Sequence, residues 1–152
     1  MCRLFHCRGV DRRDEIIDRL RAVLTRRPEV REAYLFGSWA RGEARPNSDV
    51  DVAVYVDERD LEVTTFGYDA ELATDVMAGL GTNRVDVVLL ADAPPLLYHR
   101  VLRDGIRIMS RDLRETTVRE GRALSRYCDY LPQLAKIDAA AARRLERGGF
   151  GR

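Results

Sequence analysis

LFGSWARG at residues 35–42 and SDVDVAVYV at residues 48–56 close one predicted β-strand and open the next. Val30–Phe36 is rich in β-forming residues and stops at Gly37-Ser38, whereas Val50–Val56 places four valines on alternate positions. Valines that alternate in this way point to one face of a sheet, so we expect them to be buried in a core. The connection across residues 37–49 is short for a right-handed crossover, which predicts a mixed sheet.

Helical and strand patterns alternate along the rest of the chain, which predicts an α/β domain: a small mixed sheet flanked by helices, with a C-terminal helical region. We divide the chain into an N-terminal extension (1–13), a core (14–111), the helical region (112–147) and a tail (148–152). The predicted elements outside the central strand pair are helices over Asp14–Arg26, Phe66–Leu80 and Pro94–Gly105, strands over Arg84–Leu90 and Ile106–Met109, and a helix over Asp112–Arg147 that is interrupted or kinked at Pro132.

Composition excludes several classes of partner. The 26 basic and 25 acidic residues leave a net charge of +1, so no global field recruits nucleic acid or an anionic membrane. Cys2, Cys7 and Cys128 match neither a disulfide framework nor a zinc spacing. The first ten residues lack the apolar core of a signal peptide, and no run of about 18 apolar residues occurs, so we expect a cytoplasmic protein.

Two neighbouring features suit a phosphate and a metal ion. A strand that ends in Gly37-Ser38 and turns into a short helix presents backbone amides and a small hydroxyl to an anion. Asp49 and Asp51 lie two residues apart on a strand, so their carboxylates share a face with Cα atoms roughly 6 to 7 Å apart. Such close like charges repel unless divalent cations neutralise them, and Mg²⁺ favours carboxylate and phosphate oxygens.

Asp86 lies inside an apolar predicted strand, where an ionised side chain is unexpected unless it has a function or a partner. If this strand lies beside that of Asp49 and Asp51, three acids surround one or two cations, the arrangement used for displacement at phosphorus. Taken alone, Asp86 is more typical of an edge-strand surface residue.

Other polar residues have simpler interpretations beside functional ones. Arg41 and Arg45 could bind a phosphate or be ordinary surface arginines. His6 and His99 fit a surface or helix-face position better than a metal-ligand role. Tyr127 and Tyr130 are expected to pack internally or against a partner.

Gly37-Ser38, ten intervening residues, Asp49-x-Asp51 and a later strand aspartate resemble the signature of the DNA polymerase β-like nucleotidyltransferase superfamily. The longer stretch from Leu35 to Asp51 is similar to its minimal nucleotidyltransferase (MNT) branch, antitoxins found with HEPN-domain toxins. The segment Leu97–Met109 also resembles that branch. Trp39 departs from the charged or polar residues frequent at its position.

This resemblance implies a role for each matching residue. Gly37 and Ser38 would hold the triphosphate, Asp49 and Asp51 would bridge two Mg²⁺ ions, and Asp86 would bind the metal that activates the acceptor. Arg41, which the resemblance does not assign, is our further candidate for binding the nucleotide. The implied function is a Mg²⁺-dependent antitoxin that binds a HEPN ribonuclease toxin and adenylylates its tyrosine with ATP. Adenylylation of a small hydroxylated compound such as an aminoglycoside, and a non-catalytic antitoxin that acts by binding, remain the alternatives.

Overall fold

The computed structural model describes residues 7–57 and 67–146, without the side chains of residues 7–11 and 145–146. The elements run in the order α1 (Cys7–Thr25), β1 (Val30–Phe36), α2 (Gly37–Arg41), β2 (Val50–Val56), α3 (Tyr68–Leu80), β3 (Val85–Leu89), α4 (Pro95–Asp104), β4 (Ile106–Ser110) and α5 (Leu113–Glu146).

The four strands form one mixed sheet in the order β3-β2-β1-β4. β1 pairs antiparallel with both β2 and β4, whereas β2 and β3 are parallel because α3 carries the chain back across the sheet between them. The predicted fold class, a small mixed sheet with flanking helices and a C-terminal helix, is therefore confirmed.

One face of the sheet is covered by α1 and α3. The four alternating valines of β2 are all buried there, as predicted, and they pack with Leu20 and Leu24 of α1 and with Leu72 and Val76 of α3. This face is an aliphatic core whose stability comes from the apolar area removed from water.

The opposite face is covered by α4 and the first half of α5. Tyr34, Ala53 and Tyr98 are buried there together with Val101 and Ala123. Tyrosine hydroxyls and a buried carboxylate, Glu32, interrupt this core, so it combines apolar packing with hydrogen bonds.

Two helix predictions differ from the structure. α1 begins at Cys7 rather than Asp14, because its first turns carry few apolar residues and show no periodicity to read. α5 continues through Pro132 without interruption; its surroundings are largely exposed, so water can satisfy the carbonyl that loses its partner. Phe66, His6 and the tail 148–152 lie outside the described residues.

None of the described helices combines the length and the apolar character that a membrane crossing requires.

Candidate active site

Two carboxylates lie side by side where β2 and β3 begin. Asp51 and Asp86 are register partners across the parallel pair of strands, so the strand of Asp86 does lie beside that of Asp51. Asp51 alternates with the buried Val50 and Val52, so its side chain projects to the α4 side of the sheet. Asp49 immediately precedes β2, which brings all three acids to one end of the sheet.

The three acids differ in exposure. Asp49 and Asp86 are exposed, whereas Asp51 is half-buried. Burial raises the pKa of Asp51, the negative charges of Asp86 and Asp49 raise it further, and Arg41 acts in the opposite direction. This end of the sheet therefore concentrates negative charge that a cation would neutralise.

Gly37 is required where β1 turns into α2. Its φ is +70°, and a Cβ added there would lie 1.9 Å from the Oδ2 atom of Asp51. Only glycine allows the turn to press against that carboxylate. No side chain caps the N-terminus of α2, so the amides that follow Phe36, including that of Ser38, are available to a ligand.

The donor set fits Mg²⁺ in chemical type. Asp49, Asp51 and Asp86 offer hard carboxylate oxygens, and their mutual repulsion is relieved by a divalent ion. Within residues 7–57 and 67–146, no three His, Cys, Asp or Glu side chains already stand in an arrangement that would hold a metal ion. The three acids are thus neighbours rather than a preassembled ligand set, and their metal-binding roles stay predictions.

Arg41 lies at the rim of this site. Its Nε atom donates to Glu43 Oε2 at 2.8 Å, and this hydrogen bond, followed by the charges of Glu43, Asp104 and Asp51, raises its pKa. In this conformation the guanidinium is held by Glu43 rather than presented to a phosphate. The backbone N–H of Arg45 donates to Ser48 Oγ at 2.8 Å and tightens the loop that leads into β2.

The α4 side of the rim contains Asp104, which the sequence did not single out, and His99 and Tyr127, which it did. Asp104 ends α4, and its charge acts on Arg41, although the two residues are far apart in the chain. His99 stacks on Tyr127 of α5, with ring centroids 3.8 Å apart and planes inclined by 5°, so Tyr127 packs as expected and His99 lies on the face of α4 that contacts α5. No sequence pattern connects these residues, because α4 and α5 approach the site only in the folded chain.

A Gly-Ser turn lies against paired carboxylates on a mixed sheet, which is the arrangement expected of a nucleotidyltransferase site. Residues 18–114 match the family described as Polymerase beta, Nucleotidyltransferase. This match covers more than half of the 152 residues, and the chain belongs to that family.

One curated relative is the Protein adenylyltransferase MntA of Aphanizomenon flos-aquae (strain 2012/KM1/D3), 33% identical over 90 residues. The match covers 55% of this chain and 59% of MntA, so the chain spans less than two thirds of that relative.

Two solved structures share the fold. A crystal structure described as the toxin-antitoxin with AMP-PNP has a TM-score of 0.69 and 24% identity, covering 82% of this chain and 98% of that one. The tri-AMPylated Shewanella oneidensis HEPN toxin in complex with MNT antitoxin has a TM-score of 0.61 and 23% identity, covering 88% of this chain and 98% of that one.

Proposed function

We propose that this chain is a Mg²⁺-dependent nucleotidyltransferase that binds a HEPN-domain toxin and transfers AMP from ATP to a tyrosine hydroxyl of that partner. The observation that carries the proposal is the register pair of Asp51 and Asp86, with Asp49 nearby and Gly37 pressed against Asp51. The acids come from two segments of the chain, the start of β2 and the start of β3, and they lie beside the Gly-Ser turn that we propose holds the phosphates.

The related proteins support the choice of substrates. The name of the MntA relative specifies protein adenylylation, and the two structures of similar fold contain AMP-PNP in one case and an AMPylated HEPN toxin in the other. These properties belong to those proteins, and we extend them to this chain because it belongs to the same nucleotidyltransferase family and shares their fold.

We assign the residues of the site to two tasks, binding the metal ion and orienting the phosphates. Asp49, Asp51 and Asp86 would hold Mg²⁺, which when bound neutralises charge on the triphosphate and lowers the pKa of an attacking hydroxyl. The free amides at the start of α2 and the Ser38 hydroxyl would hold phosphate oxygens. Gly37 keeps this turn against Asp51, so the phosphates and the carboxylates remain in one fixed relation.

The reaction replaces one phosphorus–oxygen bond by another. The acceptor oxygen forms a bond to the α-phosphorus as the bond to pyrophosphate breaks, and the hydroxyl proton passes to water. Most of the rate enhancement in such a displacement comes from positioning and from stabilisation of charge. A partner protein that docks beside the site would supply the positioned hydroxyl.

α5 supplies a surface for such a partner. Among the described side chains of residues 131–144, only Leu134 is less than exposed, so this half of the helix projects from the fold. Leu124, Leu131 and Ile137 expose 43%, 43% and 50% of their surface. Apolar side chains on an otherwise solvated helix are typical of a docking face for another helix.

The test separates binding from transfer. The chain is co-expressed with its HEPN partner as wild type, as Asp86→Asn and as Asp92→Asn, the last a control because Asp92 is exposed beyond the other end of β3. Intact-mass analysis after incubation with ATP and Mg²⁺ should show an adenylyl-sized gain on the partner for wild type and Asp92→Asn. We expect Asp86→Asn to bind the partner without modifying it.

Two outcomes would contradict the proposal. Full modification by Asp86→Asn would exclude Asp86 from the reaction. A stable wild-type complex with no mass gain would indicate an antitoxin that acts by binding alone.

A further inference from the structure

Asp49 differs from the other two acids in how its backbone is held. Asp51 is paired with Asp86 on one side and with Phe36 on the other, so the sheet fixes both of these acids. Asp49 precedes β2, lies outside these strand pairs and is exposed. The position of its carboxylate therefore depends on the loop that leads into β2.

This loop ends in a tight turn. The Ser48 N–H donates to the Arg45 oxygen at 3.0 Å, and the Arg45 N–H donates to Ser48 Oγ at 2.8 Å. Pro46 and Asn47 are the two central residues, and a proline at the first of these positions presets its backbone angle. These bonds give the turn its shape, but they join neighbouring residues and cannot set its position relative to the sheet.

Two side chains from other segments attach the turn to the rest of the fold. Arg84 Nη1 donates to the Asn47 backbone oxygen at 2.6 Å, and Trp39 Nε1 donates to the Ser48 backbone oxygen at 3.4 Å. The two acceptors are consecutive carbonyls, and they immediately precede Asp49. The tryptophan that departs from the family pattern thus has a specific hydrogen-bonding partner beside the site.

The two donors belong to the segments that carry the remaining parts of the site. Trp39 lies in α2, directly after the Gly-Ser turn, and it is buried in the core beneath α1 and α3. Arg84 lies two residues before Asp86, and its backbone oxygen accepts the Val50 N–H at 3.0 Å. The backbone before Asp49 is therefore attached both to the Gly-Ser turn and to the strand of Asp86.

We propose that Trp39 and Arg84 are positioning residues that hold Asp49 beside Asp51 and Asp86 for metal binding. This role rests on the proposed function, because it requires the three acids to bind Mg²⁺. Both residues act through the backbone of the loop rather than as metal ligands. Without them Asp49 would be ordered only when the metal binds, and that ordering lowers the affinity. Loss of a group that orients a metal ligand typically weakens binding by about 10- to 100-fold.

Metal affinity can be measured without nucleotide or partner. The full chain is titrated with Mn²⁺, which accepts the same carboxylate ligands as Mg²⁺, and free Mn²⁺ is followed by electron paramagnetic resonance. Arg84→Met removes the donor and keeps an unbranched side chain, and Trp39→Phe removes the indole N–H and keeps an aromatic ring. Each variant should raise the dissociation constant for Mn²⁺ about tenfold, and the double variant should raise it further.

Two further variants serve as controls. Arg84→Lys keeps a charged donor and should stay within about threefold of wild type, because one hydrogen bond to a carbonyl oxygen does not require the guanidinium fork. Arg26→Met removes an exposed arginine near the opposite end of β1 and should bind Mn²⁺ as wild type does. Since Arg84 is also exposed, the urea midpoints of Arg84→Met and Arg26→Met should agree, so that weaker metal binding does not reflect unfolding.

The partner-modification assay adds a second measurement. Transfer by Arg84→Met should be about tenfold slower than wild type at limiting Mg²⁺ and should recover at high Mg²⁺, because mass action refills a weakened site. A rate that stays low at every Mg²⁺ concentration would contradict the positioning role.

The Mn²⁺ titration distinguishes failure of this role from failure of the proposed function. Unchanged affinity in both Arg84→Met and Trp39→Phe, or an Arg84→Lys variant as weak as Arg84→Met, would overturn the positioning role and leave the transferase function intact. Weakened Mn²⁺ binding in the variants of a chain that transfers no AMP would support the role and contradict the function. A wild-type chain that binds no Mn²⁺ would overturn both.

Discussion

The two faces of the sheet are stabilised in different ways. Beneath α1 and α3 the core is aliphatic, whereas beneath α4 and α5 the sheet buries the Glu32 carboxylate and the phenols of Tyr34 and Tyr98. Aliphatic packing tolerates many arrangements of similar volume, but a buried charge requires a particular partner in a particular place. The polar face is also the one to which Asp51 projects, so it fixes the helices that border the candidate site.

Arg119 of α5 is the main partner of Glu32. Its Nη2 and Nε atoms donate to Glu32 Oε2 at 3.0 and 3.2 Å, and its guanidinium lies 4.5 Å from the centre of the Tyr55 ring. Burial and the nearby carboxylates raise the pKa of Tyr34 and Tyr98, so both phenols stay protonated. The Tyr34 hydroxyl donates a hydrogen bond to Glu120, and the Tyr98 hydroxyl donates one to Glu32. α5 is thereby attached to three side chains of the sheet, to Glu32 and Tyr55 through Arg119 and to Tyr34 through Glu120.

The largest loss of stability is expected when the ion pair on the polar face is removed. Arg119→Ala leaves the fully buried Glu32 without its cation, which should lower the free energy of unfolding by about 3 to 5 kcal/mol. Urea unfolding measures this loss, and Arg122→Ala, an exposed arginine on the same helix, is the control. Joint replacement by Arg119→Met and Glu32→Leu should recover most of the stability. A loss below about 1 kcal/mol for Arg119→Ala would show that the pair does not hold α5.

Removing a side chain from the aliphatic core should lower the free energy of unfolding somewhat less. Leu72→Ala removes a fully buried side chain of α3 and should lower the free energy of unfolding by about 3 kcal/mol, mainly through the cavity it leaves. Leu124→Ala provides the comparison, because Leu124 is 43% exposed and should change stability little in the isolated chain. Equal losses in the two variants would contradict the burial difference between these positions.

Gly37→Ala tests the contact between the Gly-Ser turn and Asp51. The added Cβ would displace the carboxylate, and a displacement of about 1 Å should reduce transfer about 100-fold. Gly42→Ala is a matched control, since Gly42 has a φ of +74° and open space where the new Cβ would lie. Both variants carry the strain of a left-handed residue, so only Gly37→Ala should lose activity in the partner-modification assay. Equal activity in both variants would show that the contact between the Gly-Ser turn and Asp51 is not needed for transfer.

The smallest effect concerns the charge of Asp51. Its raised pKa means that the folded protein retains a proton that the unfolded chain releases, so stability falls as pH rises through the window between the two pKa values. Asp51→Asn should therefore stabilise the metal-free protein at neutral pH, by less than about 1 kcal/mol because solvent screens this half-exposed group.

The gain should disappear as the pH falls below the ordinary range of an aspartate, and Mg²⁺ should stabilise wild type but not Asp51→Asn. Thermal unfolding across pH, with and without Mg²⁺, provides the measurement. A gain that is independent of pH would show that repulsion at Asp51 is not its cause.

Much of the fold could be predicted because local patterns agree with it. Three elements are marked by their own periodicity or backbone preference: β2 by its alternating valines, the end of β1 by the turn at Gly37-Ser38, and the start of α4 by its two prolines. The start of α1 escaped prediction because its first turns are polar, and continuity of α5 through Pro132 depends on an exposed carbonyl rather than on any pattern.

By itself the sequence determined the resemblance to the family, through its Gly-Ser and Asp-x-Asp motifs, and the mixed sheet, through the short connection across residues 37–49. It also predicted that Asp49 and Asp51 lie on one face, because spacing along a strand dictates which side chains share a face. Only the tertiary structure decided that Asp86 lies in register with Asp51 and that Arg119 neutralises Glu32. These pairs join residues from separate elements, and the packing of helices on a twisted sheet, rather than any local preference, sets which of them meet.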